Sequence, residues 1–279
     1  MQDAFAHCAE LVRPADHDRF IAALFAPAER RDALVALYAF NVEVARVREM
    51  ARSALPGEIR LQWWSDVISG QRQEEARANP VAAALLATME RHELSASTLL
   101  DLIEARRFDL YEEPMATLVD LETYARRTAS SLIALAAQIL ANVDAAAFAE
   151  PAGIAYGIAA ILRALPVHTA RRQLYLPGEL LNRHHVAMGD LFAGRPAAGL
   201  AAALAELRDV ARGHLRTLHD RLAVLPSSAV PAFLPMALIG PSLAKMERGD
   251  PFSPLEISPW RRQWLIWRAA RNPARIAAE

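Results

Sequence analysis

Arg163, Arg171 and Arg172 flank the segment Ala164-Leu165-Pro166-Val167-His168, so three guanidinium groups and one imidazole fall within ten residues. Arginine forks suit the paired oxygens of phosphate or carboxylate. His168, in a proline-containing turn, offers a metal ligand or an acid–base group. His184 and His185 come next, on a predicted loop. No carboxylates are arranged around these three histidines, so capping or surface roles fit them better than a metal site. The arginines have a plainer reading too. Lys245 is the only lysine among 31 basic residues, and such a bias matches a GC-rich genome as well as an anion-binding surface.

Elsewhere, Glu43 has Arg46 at i+3 as a helix partner, a weak exposed pair. Near the end of the chain Trp260, Trp264 and Trp267 fall at i, i+4 and i+7, with Arg261, Arg262, Arg268 and Arg271 on other faces. A helix with aromatics on one side and arginine on the other can lie in a membrane interface or meet a partner there. Alternatively, the indoles dock the helix onto the body of the protein.

The elements that must position these groups are helices. Most long segments have helical period, and no alternating β-branched run argues for a strand. Pro27 opens a helix whose apolar stripe is Leu34, Leu37, Tyr38, Val42 and Ala45. A second is expected after Pro56-Gly57 through Ile59, Trp63, Val67 and Ile68. Asn79-Pro80 is a cap with a first-turn proline, and Ser95 caps the next helix, to about Tyr111. Leu118 to Leu140, Ala152 to Leu165 and Ala197 to Leu225 are further helices. Pro231, Pro235 and Pro241 break up a segment that would otherwise be one more helix. Links are short, and no linker or repeat divides the chain. The expectation is one all-α domain over residues 1–279.

Composition sets outer limits. Alanine supplies about a fifth of the 279 residues and aromatics 7%, so the core rests on close aliphatic packing. A net charge of −1 gives no field to attract nucleic acid. Cys8 stands alone, which excludes an intrachain disulfide and a thiolate metal site and suits a reducing compartment. Met1 to Asp18 has neither a signal nor a transit pattern, and no stretch reaches the roughly eighteen apolar residues of a spanning helix. The expected location is the cytoplasm, with peripheral contact to the inner membrane as the alternative.

Two segments carry a resemblance. Leu37-Tyr38-Ala39-Phe40-Asn41-Val42-Glu43-Val44-Ala45-Arg46-Val47-Arg48-Glu49 and Ile161-Leu162-Arg163-Ala164-Leu165-Pro166-Val167-His168, running on to Arg171-Arg172-Gln173-Leu174-Tyr175-Leu176-Pro177, resemble the two signature segments of the squalene/phytoene synthase family. Asp109-Leu110 and Tyr124-Ala125 also sit where that family has matching segments. The resemblance implies an isoprenoid-synthase-like helical bundle with a central cleft. It also implies a D-x-x-x-D pair in each segment, whose carboxylates, one helical turn apart, hold magnesium against a prenyl diphosphate. Here the four places are Ala45, Glu49, Ala164 and His168. Two alanines supply no ligand, and imidazole is softer than magnesium takes. The expected catalytic set and metal set are therefore both empty.

One branch fits more closely. Ala39 to Ala45, Arg60-Leu61-Gln62-Trp63-Trp64, Leu162 to His168 with Arg171-Arg172, and more weakly Pro231-Ala232-Phe233-Leu234 look like the branch of complex I assembly factors within this family. The resemblance implies an assembly or isoprenoid- or lipid-binding role, with complex I subunits or assembly intermediates as partners and no cofactor. An active prenyltransferase, which would need magnesium, is the alternative. In the binding role Arg163 and Arg171 grip an anionic head group, and Tyr38, Phe40, Asn41 and Tyr175 form the wall. Trp260, Trp264 and Trp267 are the candidate membrane or partner contact.

Overall fold

No strand occurs among the described residues of the computed structural model, which are all but Arg52, Pro196 and Glu279. The principal helices are α1 (Gln2–Ala15), α2 (His17–Ala23), α3 (Ala28–Ala45), α4 (Ala54–Ile68), α5 (Pro80–His92) and α6 (Ala96–Arg106). They continue with α7 (Leu118–Ala125), α8 (Ser131–Ala141), α9 (Ala146–Arg163), α10 (Leu200–Arg221), α11 (Ile239–Met246) and α12 (Pro259–Arg271). The capping signals act as expected. Asn79 Oδ1 accepts from the Val81 and Ala82 amides at 3.0 Å each, and Ser95 Oγ from Thr98 at 3.2 Å.

The helix α3 is central. Every residue from Ala33 to Val42 is buried, so it is a core helix covered all round rather than a striped surface helix. It lies against α1, α5 and α8. On the far side of the cleft runs α9, whose small residues let neighbours approach. A Cβ at Gly153 would sit 2.2 Å from the Ser130 amide nitrogen, and one at Gly157 would sit 2.7 Å from the Ala125 Cβ. The end of α7 presses on Gly157, and a π-helical turn between α7 and α8, Arg126–Ser130, presses on Gly153. Such turns push one backbone face outward, here into the cleft wall at Thr128 and Ala129.

Several expected boundaries shift. The helix α4 begins before Pro56-Gly57 and buries Gly57, Leu61, Trp64, Val67 and Ile68, leaving Ile59 64% exposed. The helix α9 starts at Ala146 rather than Ala152, tolerating Pro151 within its second turn, and stops at Arg163. Pro166 does not end that helix; it sits in the first turn of the next, Leu165–Ala170. Ser227–Met246 has the length and apolarity of a membrane span, contrary to expectation, but 72% of its apolar window is buried in the bundle and its prolines divide it into short helical pieces. It is a core segment.

Candidate functional site: an arginine-lined cleft

A cleft of about 410 Å³ opens between α3 and α9, with the π-turn and the segment after α6 closing its sides. The helix α3 contributes Asn41 and Ala45 at helical spacing, and α9 contributes Tyr156, Gly157, Ala160, Ile161 and Arg163. Arg48 and Glu49 stand in the short helix Val47–Met50, and Ala164 and His168 come from the turn beyond α9. Among the described residues, five arginines line the space, Arg19, Arg48, Arg106, Arg163 and Arg171, against two carboxylates, Asp109 and Glu49.

The floor is Arg19. Its guanidinium is buried, donates to Asp16 Oδ2 at 2.6 Å, and lies 4.6 Å from the Tyr156 ring centre and 5.8 Å from that of Tyr38. Tyr38 is therefore sealed beneath the arginine and does not form the cleft wall. Phe40 does not either. It points into the core and meets Trp64 edge-on at 5.1 Å. Asn41 and Tyr175, of the expected wall, do line the cleft.

One side is built on Asp109. Tyr124 and Tyr175 each donate a phenolic hydroxyl to its Oδ1, at 2.7 and 2.8 Å, and Arg106 donates to Oδ2 at 3.2 Å. Arg106 also reaches the Tyr124 oxygen at 2.7 Å, and Gln173 donates to the Asp109 carbonyl at 2.8 Å. Burial pushes both phenols well above their usual range, so they stay neutral donors. The carboxylate is fully engaged. His168 stacks on this cluster, its ring 4.5 Å from that of Tyr175, with Nδ1 buried and without a hydrogen-bond partner. Burial depresses its pKa to about 4; Arg171 adds to that, and Asp109 and Glu49 oppose it. At neutral pH it is an uncharged imidazole.

At the mouth, Glu49 accepts from Arg171 at 3.2 Å and pairs with Arg46 at 3.5 Å. Thus Arg46 partners Glu49, while Glu43, expected to pair with Arg46, is instead bound by Arg60. Arg163 is exposed at the rim. Arg172 turns away, its guanidinium 4.9 Å from the Phe192 ring, and His184 pairs with Glu206 on α10 at 2.9 Å; neither lines the cleft. Arg19, Arg48, Arg106, Tyr156 and Gln173 are the residues sequence reasoning missed. Their partners are distant in the chain or unmarked by any periodic pattern, apart from the i, i+3 spacings of Asp16 with Arg19 and of Arg106 with Asp109, which offered a local hint.

A profile of the squalene/phytoene synthase family matches residues 12–268. The chain belongs to the squalene/phytoene synthase family. Among curated relatives, the rat protein named NADH dehydrogenase (ubiquinone) complex I, assembly factor 6 is 32% identical over 253 residues, covering 89% of this chain and 75% of the rat protein. The human protein of the same name is 31% identical, with 88% and 74% covered. A crystal structure of a dehydrosqualene synthase in complex with ligand superposes with a TM-score of 0.82 at 18% identity, over 97% of this chain and 96% of the other. That last likeness is one of fold. The resemblance carried by the two motifs, to the family and to its assembly-factor branch, and the isoprenoid-synthase-like fold are both met.

The family implies magnesium in the cleft, and the residues present do not fit it. Ala45 and Ala164 offer methyl groups, Glu49 is already shared by two arginines, and His168 faces the Tyr175 ring. No group of three or more histidine, cysteine or acidic side chains suited to a metal occurs among the described residues. Asp109 keeps its own cation and two hydroxyls. What the arrangement can do is hold an anion by arginine and an apolar chain against Leu132, Ala160 and Ile161.

Proposed function

We propose that this chain is an assembly factor for respiratory complex I, and that its cleft holds an anionic isoprenoid or lipid without condensing it. The observation that carries the reading is the Glu49–Arg171 pair. It ties Glu49, the one acid at the four motif places, to an arginine three residues beyond His168 of the second motif, so a guanidinium already takes up that carboxylate. The pair is nearly half exposed on both sides, so it is worth about 0–1 kcal/mol to stability, and a stronger anion can displace it. The likeness to the rat and human assembly factors, over 89% and 88% of this chain and 75% and 74% of theirs, supports the client. The reading puts the protein on the cytoplasmic side of the membrane that carries complex I, meeting subunits or assembly intermediates there, with no cofactor.

Two measurements test it. Purified protein incubated with farnesyl or geranylgeranyl diphosphate and magnesium is expected to yield no squalene, phytoene or cyclopropyl intermediate above a boiled control. Removing the gene from its own host is expected to lower the amount of assembled complex I on native gels, with recovery on complementation. Hydrocarbon product overturns the reading in favour of a prenyltransferase, and normal complex I in the deleted host overturns the assembly role.

A further inference from the structure

The helix α12 holds itself in place without its tryptophans. Ile266 and Ala269 are fully buried, and Arg262 bridges to the buried Asp18 of α2, its Nε 2.9 Å from Oδ1. Trp260, Trp264 and Trp267 face outward with 82%, 49% and 47% of their surface exposed. Indole is large and apolar, and leaving three on one stripe costs solvation that a closed core would recover. The stripe is also organised. Arg268 stacks 4.3 Å from the Trp264 ring centre and Arg271 5.2 Å from that of Trp267, which fixes the rings beside positive charge. The helix carries four arginines and no acid, although the whole chain has a net charge of −1.

A hollow of about 630 Å³ at the start of α12 extends this charge, with Lys245, Arg248 and Arg261 on its wall. It shares Glu256 and Ile257 with a smaller hollow, which in turn shares Arg163 with the central cleft. The positive, indole-bearing end of the fold therefore adjoins a line of hollows that leads to the cleft.

We propose that α12 is a membrane-docking face, and that its occupant is the surface of an anionic phospholipid bilayer. The three indoles enter the interfacial layer, while Arg261, Arg268 and Arg271 meet lipid phosphates. The occupant is argued from both components of the stripe: exposed indoles suit the interfacial layer of a bilayer, and the arginines beside them suit its anionic phosphates. The proposal stands on this helix alone and is independent of the assembly role, so either can fail without the other.

The full chain is tested by co-sedimentation with vesicles of phosphatidylcholine alone and of phosphatidylcholine with phosphatidylglycerol. Binding is expected only with phosphatidylglycerol and falls as salt rises. The triple variant Trp260→Ala, Trp264→Ala, Trp267→Ala is expected to lose about tenfold or more in partitioning while staying folded by circular dichroism, because Ile266, Ala269 and the Arg262–Asp18 bridge anchor the helix. Arg261→Gln, Arg268→Gln, Arg271→Gln is expected to abolish the preference for anionic lipid. Brominated lipid should quench the fluorescence of the unmodified protein, a readout that needs no variant. Equal partitioning of the triple tryptophan variant, or no quenching, overturns the proposal. So does a dimer in sedimentation velocity that the tryptophan variant dissolves while vesicles bind neither form; the stripe would then belong to a second copy of the chain.

Discussion

His168 shows how one substitution changes what a site responds to. In place of an acid, the cleft holds an imidazole buried against Tyr175 with its pKa depressed to about 4. Unfolded, the same imidazole titrates near 6.5, so between those values the unfolded chain binds the extra proton and stability rises with pH. The stabilisation is complete above about 6.5 and is lost as pH falls through about 4. His168→Gln is therefore expected to flatten the stability–pH curve in that window, by roughly 1–3 kcal/mol across it. Denaturant melts at pH 7 and pH 4.5 check this; a slope unchanged by the substitution would place the acid sensitivity elsewhere. Of the residues singled out from sequence, Asn41, Arg163, Arg171 and Tyr175 do line the cleft, whereas Tyr38 and Phe40 do not. A motif states which residues share a segment. It does not state that a buried arginine from α2 will cover one of them and Trp64 of α4 will pack against another.

Between α9 and the π-turn, glycine is what allows the wall of the cleft to form. Alanine normally improves a helix interior by about 1 kcal/mol over glycine. At Gly153 the new methyl would meet the backbone nitrogen of Ser130 at 2.2 Å, and backbone cannot step aside as a flexible side chain can. Gly153→Ala is expected to destabilise by about 1–3 kcal/mol, measured by urea melts, and to weaken ligand binding by displacing Thr128 and Ala129. Gly213→Ala serves as the control, because on α10 its methyl meets nothing nearer than 4.0 Å, and it is expected to be neutral or stabilising. Helices and their caps were legible from periodicity and from Asn79 and Ser95, since those signals are local. The π-turn was not, because Leu118 to Leu140 keeps a helical pattern throughout, and the turn lies where that segment packs on α9. The outward turn of Trp260, Trp264 and Trp267 was equally open: spacing put them on one stripe but did not say which stripe Ile266 would win for the core.

For the whole molecule, alanine at two of the four motif places, Ala45 and Ala164, leads us to expect that magnesium is a weak partner of the folded state. A ligand that binds only the native state raises its melting temperature in proportion to occupancy. The unmodified protein is expected to melt at the same temperature with millimolar magnesium or with EDTA. The variant Ala45→Asp, Glu49→Asp, Ala164→Asp, His168→Asp is expected to gain a magnesium-dependent rise, without efficient turnover because the groups that would orient the new carboxylates are absent. Scanning calorimetry with both forms decides; a magnesium-dependent rise in the unmodified protein would restore a metal to the cleft. The amino-acid sequence by itself determined that the chain is helical, that its motif frame is that of squalene/phytoene synthases, and that Ala45 and Ala164 supply no ligand. The helices follow from short-range period and the missing ligands from side-chain chemistry, while the frame is recognised by resemblance to the family's two segments; none of these needs knowledge of distant neighbours. Only the tertiary structure decided that Glu49 closes on Arg171, that Asp109 is spent on Arg106 and two tyrosines, and that three tryptophans stay outside. Each of those is a competition between partners far apart in the chain, and burial, charge pairing and shape settle it only once the helices have packed.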